Sequence, residues 1–519
     1  MIIHGYKNCV KKSGFHSGAA RATQHRRTDV SQSGDGVLLL YTGGTIGSLR
    51  RDRTDPLSPL EPAPLDEVLS LFSAYDPYGR RIVLGAGAVR IATEAFDPPL
   101  DSSDMRPADW LRMARIIERR YAEFEGFVIL HGTDTLAYTA SALAFMLQNL
   151  DKPVVITGSQ RPMGEVRSDA NQNLITAIEI AAARSLKQGV VPEVTVFFRD
   201  RLFRGCRTTK VNAASYDAFD SPNLEPLARA GDRVAIAADR VRRPPDGALQ
   251  VRDRFEENVA SLDFFPGMPP TLLSRLFATE GLRGVVLRTF GNGNIPSDPG
   301  LLEVIGDAVD RGIVVLNATQ CLAGEVVPGR YRASAGLMAR GVAGSLDMTR
   351  EAALTKLCVI LGEETDPEVA ADRMQLDLAG EQRRSVYNLR YPGGRIQPGR
   401  PVLVPAVRVM TGGAGFDPDR VESAVFRVGE LRSEEGAGMF RARFYLVDGE
   451  DDRPRPDRLL GEVAKDLSPE GGGEYGFLPI PASLIRILHG SAPPRLLVEP
   501  GADSTPCRWR RAVAACLCG

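Results

Sequence analysis

The sequence is poor in histidine. It has five in 519 residues, and three of them fall in the first 25 positions. A Ser-His-Asp hydrolase would therefore have to rest on His131, and a histidine that closes a strand is as a rule structural. Cysteine is scarce and scattered: Cys9, Cys206, Cys321, Cys358, Cys507, Cys516 and Cys518. An odd count without regular spacing does not build a secreted disulfide framework, so all seven read as reduced thiols. Cys516-Leu517-Cys518 is too close for a CxxC motif, and no His/Cys group has metal spacing. The chain has no phosphate loop GxxxxGK[ST] and no GxSxG elbow. Gly291-Asn-Gly293 begins like a dinucleotide loop but meets Pro296 where a third glycine is needed. The longest apolar helix-like run, Leu136 to Leu150, falls short of the ~20 residues of a bilayer span and carries Thr139, Ser141, Gln148 and Asn149, so it reads as a core helix. Charge of one sign is also absent, with 64 basic and 65 acidic residues and a net charge of -1. Neither a nucleic-acid partner nor a membrane partner is expected.

What remains is a long chain of ordinary globular composition, 43% hydrophobic and 25% charged. Its length suggests about three domains. Residues 1–35 carry six Lys/Arg against two Asp without the apolar stretch of a secretory signal. They read as a disordered leader or an over-long start, and an organelle transit peptide is the other reading. From there several short apolar runs end in small polar residues. Val37–Tyr41 runs into Thr42-Gly43-Gly44-Thr45, and Phe127–Leu130 into His131-Gly132-Thr133-Asp134-Thr135. Val154–Ile156 runs into Thr157-Gly158-Ser159-Gln160, and Val194–Phe198 leads to Arg199-Asp200 and RGCRTTK. Helical patterns lie between them, over Trp110–Phe124, Ser141–Leu150 and Leu174–Ala183. Continuous apolar strands alternating with helices indicate a parallel sheet covered on both faces. Ligands bind beyond the carboxyl ends of such strands, where these polar residues collect. A second group of the same kind begins at Gly284 and Gly312, with helices at Leu301–Arg311 and Glu351–Gly362. Arg229–Pro270 reads as connection. From about Pro392 short alternating runs suggest a small antiparallel β domain. Its GEDDRPRPD stretch (449–457) reads as an exposed acidic loop, and the terminal CRWRRAVAACLCG as a membrane-touching tail or a frayed end. The expected division is 1–35, 36–232, 233–275, 276–390 and 391–519.

The residues at the strand ends can do nucleophilic chemistry. A threonine hydroxyl is a weak nucleophile until a base takes its proton. A lysine can be that base directly or through a relay. Glycine beside the threonine lets backbone come close to a substrate. Gly43-Gly44-Thr45, Gly132-Thr133-Asp134 and Thr208-Thr209-Lys210 supply these parts. Each alone is ordinary turn chemistry or a solvated lysine.

In order along the chain, TGGTIG, DSSDM, HGTDT, ITGSQRP, RSDANQNL and RTTK form a set that resembles the L-asparaginase family. YTGGTIG, SPNLEPL, NATQC and DMTREAALTKL narrow the likeness to the bacterial cytoplasmic type I branch. The resemblance covers roughly Gly36 to Glu381. It implies two α/β domains with parallel-rich sheets, the first holding the site. It implies cytoplasmic hydrolysis of L-asparagine to L-aspartate and ammonia without metal or cofactor, in a homo-oligomer (dimer or tetramer). By matching motifs, Thr45 is the first nucleophile. Thr133, Asp134 and Lys210 are the second triad, with Lys210 as base. Asp134 also holds the substrate α-amino group, and Ser102 and Ser103 hold its α-carboxylate. Arg288, Thr319, Gln320 and Cys321 match an effector site credited to type I members. One departure stands out. The family often has a tyrosine in the loop after TGGTIG, and here SLRRDRTDPLSPLEP has none; Tyr75 and Tyr78 lie too far downstream. A changed lid is expected. Other readings of the same core are an asparagine-sensing binding protein and an ammonia-releasing amidotransferase subunit.

Overall fold

The computed structural model describes residues 34–52, 55, 58–326, 332–396, 402–404, 408–409, 421–433, 438–447, 458–467, 474–480, 484, 495–500 and 507–518. The leader, apart from its last two residues, and the acidic stretch 449–457 lie outside the described residues.

A ten-stranded sheet forms the first layer. Its centre is five parallel strands: β1 (Val37–Gly43), β2 (Gly87–Leu100), β3 (Gly126–Leu130), β4 (Val154–Thr157) and β5 (Val194–Phe198). Their spatial order is β5-β4-β3-β1-β2, all in parallel register. Antiparallel strands finish both edges. Successive side chains on a strand point to opposite faces, and here each face has its own core. Leu38, Leu40, Phe127, Ile129, Val154 and Ile156 enter one. Val37, Leu39, Tyr41, Val128, Leu130 and Val155 enter the other. With no face left for water, the strands read as unbroken apolar runs.

Helix α1 (Pro107–Arg120) covers the first face together with α2 (Leu136–Met146), while α3 (Ala170–Ala181) covers the second. Helix α2 lies between this sheet and a further helix, α4 (Arg350–Glu363), and buried residues of both domains meet around it. That position explains why its sequence is apolar all round rather than striped. The helix stops at Met146, short of the expected Leu150. Leu147 and Gln148 turn aside to pair with Gln250–Val251, and Asn149 takes a left-handed conformation at φ 58°. Among the described residues no helix is long and apolar enough to cross a membrane.

A second, four-stranded parallel sheet contains β6 (Val259–Asp263), β7 (Gly284–Thr289) and β8 (Val314–Thr319), followed by Ala343–Gly344. The stretch read as connection contributes β6 to this sheet and Val234–Ile236 to the first. Both are edge strands: β6 exposes Ser261 and Asp263, and Val234–Ile236 is only three residues long, which hides them in an Asp/Arg/Pro-rich sequence.

Beyond them two antiparallel sheets of five and four strands form the β-rich extension. Phe426 of one sheet meets Phe444 of the other with ring centroids 5.5 Å apart. The terminal stretch corrects the sequence reading. Cys507–Cys518 is neither a frayed end nor a membrane tail. It is an interior strand, paired on one side with Ser385–Ile396 and on the other with Val421–Ser433. Arginines in a strand inside an extension sheet look, in sequence, like a basic tail.

Two buried ionisable groups have consequences for stability. Lys356 and Glu381 are both fully buried and pair at 2.6 Å. Lys356 also donates to the carbonyls of Met374 and Leu376, and Glu381 accepts from the N–H groups of Leu378 and Ala379. Burial would raise the Glu381 carboxyl, but the charge and hydrogen bond of Lys356, with the Ala379 N–H and the Asp377 side chain, hold it below its ordinary value. Removing one partner strands the other. Lys356→Met is expected to cost ~3–5 kcal/mol, and Lys356→Met with Glu381→Gln less than Lys356→Met alone, as read by urea denaturation.

His131 closes β3 and is wholly buried. Its Nδ1 meets the Gly132 carbonyl at 2.7 Å, and Nε2 meets the Thr139 hydroxyl at 2.9 Å. The Trp110 indole donates to the same hydroxyl. Burial pushes the imidazole down to about 4. The unfolded chain protonates near pH 6.5, so the unfolded state binds the extra proton between about pH 6.5 and 4. Stability is complete above that window and is lost as pH falls through it, by up to about 3 kcal/mol. His131→Gln is expected to flatten the slope of unfolding free energy against pH in that window by roughly one proton's worth, whatever it does to stability at neutral pH.

Candidate active site

The parallel register brings the carboxyl ends of β4, β3, β1 and β2 to one edge, side by side. Each strand delivers one polar loop there. After β1 the chain makes a single helical turn, Thr45–Gly47. After β2 it makes another, Ser102–Asp104. After β3 come Gly132-Thr133-Asp134, and after β4 Gly158-Ser159-Gln160.

Two glycines decide how closely these loops meet. Gly44 sits at φ 84°, and a Cβ there would fall 2.3 Å from the Gly132 Cα. A Cβ on Gly132 would fall 2.5 Å from the Ser102 hydroxyl. No side chain fits at either place, and the bare backbones bring Thr45, Ser102 and Thr133 to one locus. Thr45 is half-buried.

Lys210 comes from the short strand Thr209–Lys210. Its Nζ donates to Thr133 Oγ1 at 2.9 Å and to Asp134 Oδ1 at 2.7 Å. The Thr133 hydroxyl in turn lies 3.4 Å from Gln160 Oε1. The Asp134 carboxylate is mostly exposed, with its second oxygen open to a ligand, whereas Lys210 is mainly covered. The Ser102 hydroxyl accepts from the Asp134 N–H at 3.3 Å, and its carbonyl accepts from the Thr135 hydroxyl. Ser102 is buried, while Ser103 is exposed and held by Asp101, which accepts from both its N–H and its hydroxyl. Those two bonds hold the Asp101 carboxyl below its ordinary value.

Gln160 was not singled out in the sequence. Its backbone N–H is held by both carboxylate oxygens of Asp169, and its side-chain amide donates to the Ser215 carbonyl. Its place three residues beyond the end of β4, as Thr133 is beyond β3, was the available signal. In the loop after Thr45, Ser48–Arg50 pairs with Leu60–Pro62, and Arg50 is tied to Glu165 at 2.8 Å.

The remaining candidates stand elsewhere, at the carboxyl end of the second sheet. Arg288, next to last in β7, lies beside its register partner Asp263, whose two carboxylate oxygens accept its guanidinium. Thr319 pairs with Thr289. The Gln320 amide donates to the carbonyls of Phe264 and Arg288, and the exposed Cys321 donates its N–H to Thr319 Oγ1. The four residues are thus brought together, with the guanidinium already engaged. Cys206, Cys321 and Cys358 are free thiols. Among the described residues no three His, Cys, Asp or Glu side chains gather in a metal-holding group.

Comparison with known proteins gives one family along most of the described chain. Residues 36–242 match the model for asparaginase, N-terminal, and residues 258–374 that for the glutaminase/asparaginase C-terminal domain. L-asparaginase 1 of Escherichia coli is 41% identical over 349 residues, which span 66% of this chain and 97% of that protein. The 60 kDa lysophospholipase of Mus musculus is 44% identical over 362 residues, spanning 66% of this chain and 62% of that protein. The crystal structure of L-asparaginase I from Vibrio cholerae superposes with a TM-score of 0.60 at 38% identity, covering 67% of this chain and 99% of that one. The chain belongs to the asparaginase family.

Proposed function

We propose that the protein is an L-asparaginase, an amidohydrolase that cleaves the side-chain amide of L-asparagine to give L-aspartate and ammonia. The observation that carries this reading is the Lys210–Thr133–Asp134 hydrogen-bonded group set against the Gly44–Thr45 turn by the Gly44–Gly132 contact.

In the first step the Thr45 hydroxyl attacks the amide carbon. Its Oγ forms an ester with the substrate, the C–N bond breaks, and the nitrogen leaves as ammonia with the proton taken from Thr45. In the second step a water attacks that ester. Thr133 takes the water's proton as it passes its own to Lys210; as the bond from the Thr45 oxygen to the acyl carbon breaks, Lys210 returns a proton through Thr133 to that oxygen, and aspartate leaves. Lys210 accepts a proton only as the neutral amine. The free oxygen of Asp134 meets the substrate α-ammonium, a charge-assisted contact. Ser102 and Ser103 face the α-carboxylate.

The relatives differ in name, one of them a lysophospholipase. The polarity at this place favours an amino acid over an acyl chain, because two serines, an exposed aspartate and a lysine converge where an alkyl chain would need apolar walls. We propose further that it acts in the cytoplasm as a homo-oligomer and that Arg288, Thr319, Gln320 and Cys321 form an effector site. Arg288 can clamp an effector carboxylate only by giving up Asp263.

Thr45→Ala is expected to lower kcat for ammonia release at least about a thousandfold, as for loss of a nucleophile, with the thermal midpoint little changed. Lys210→Met is expected to cost about 10²–10⁴-fold in kcat. Asp134→Asn is expected to raise KM by roughly ten- to a hundredfold through the lost ~1.5–3 kcal/mol contact. Full activity in Thr45→Ala would remove the mechanism.

A further inference from the structure

Lys210 sits on a strand of two residues, paired among the described residues with Phe219–Asp220 alone. Two residues of ladder are too few to fix a side chain by themselves. The segment before it is instead gripped by the other domain. Arg207, buried, donates to the Asp347 carboxylate at 2.8 Å and to the Gly380 carbonyl at 2.8 Å. Thr209, one residue before Lys210, donates its hydroxyl to Glu351 Oε1 at 2.8 Å. Glu351 lies in the first turn of α4 and is 1% exposed. The same oxygen takes the Arg350 Nε at 3.0 Å, and Arg350 reaches back to the Lys210 carbonyl at 3.5 Å. The second oxygen, Oε2, is buried without a hydrogen-bond partner. A buried carboxylate with an open oxygen is costly. The positive end of α4 and the Arg350 charge offset part of that cost. Its one neutral hydroxyl partner is the residue next to the proposed base.

We infer that Glu351 is a positioning residue for Lys210, a latch from the C-terminal domain that sets the proposed base through Thr209; this rests on the mechanism proposed above. The geometry follows from the strand. Neighbouring side chains point to opposite faces, so fixing Thr209 towards Glu351 turns Lys210 towards Thr133 and Asp134. The hydroxyl–carboxylate bond therefore does for the side chain what a longer ladder would do for the backbone. The first domain supplies the reacting groups, and the second supplies the orientation of one of them.

The test compares wild type, Glu351→Ala, Thr209→Val, the double variant and Glu351→Gln, with Lys210→Met as control. Steady-state ammonia release from L-asparagine is read beside hydrogen–deuterium exchange of residues 205–212. Glu351→Ala and Thr209→Val should each lower kcat about tenfold or more with KM within about threefold, since misplacing a catalytic group costs rate rather than binding. The double variant should be no worse than the poorer single, because both remove one bond. Glu351→Gln keeps an acceptor for Thr209 and should recover most of the rate. Exchange should rise at 205–212 and stay unchanged at 126–135. A lower thermal midpoint with unchanged kcat in Glu351→Ala, or losses that multiply in the double variant, would overturn the inference. If Glu351→Ala fails to fold, Thr209→Val decides alone. If the wild type releases no ammonia or Lys210→Met stays active, the mechanism fails, and exchange at 205–212 still judges whether the latch exists.

Discussion

The contact between two bare backbones, Gly44 on the turn after β1 and Gly132 on the turn after β3, is the constraint on which the rest of the site depends. The strands are neighbours in register, so their loops leave the sheet side by side. Only the lack of Cβ atoms lets those loops touch. An added methyl at Gly44 would need both a left-handed backbone and a place already filled by main chain. Backbone cannot swing aside as a long side chain can. The distance between the two threonine loops is thus set by main chain rather than by flexible side chains, which is the rigidity that the proposed acyl transfer to Thr45, with Thr133 as proton relay, requires.

The second domain contributes differently. It offers no reacting group to this edge in the described chain, yet Asp347, Glu351 and the Gly380 carbonyl hold the segment that carries Lys210. Asp347 is used on both sides: its carboxylate takes Arg207 and also the Arg383 N–H. Helix α2 lies in the core shared by the two domains, and it starts directly after the Thr133–Thr135 loop. A shift of one domain against the other would therefore be felt at both ends of the Lys210–Thr133 bond.

Much of this was legible in the sequence, and for physical reasons. Strands buried on both faces leave unbroken apolar runs, and Val37–Tyr41, Phe127–Leu130 and Val154–Ile156 stand out for that. Polar residues at their carboxyl ends follow from where such sheets bind ligands. Pairing with partners distant in sequence was not legible. Thr209 in RTTK and Glu351 in DMTREAALTKL are 142 positions apart, and nothing local shows that one bonds the other. Val259–Asp263 was lost in a charged connection because an edge strand keeps polar residues. The terminal Cys507–Cys518 looked like a basic tail because its partners, Ser385–Ile396 and Val421–Ser433, are far away along the chain. Arg288 was legible as a strand-end arginine, but its engagement by Asp263 depends on register across two parallel strands.

The most direct measurement of the central claim is the covalent state of the enzyme during turnover. Thr133→Ala, mixed with L-asparagine, quenched in acid and digested, would be mapped by mass spectrometry beside the ammonia released in a single turnover. The expected result is an aspartyl ester on the peptide carrying Thr45, formed together with one equivalent of ammonia and hydrolysed slowly. An ester on another residue, or ammonia released with Thr45 unmodified throughout, would contradict the assignment of Thr45 as the nucleophile.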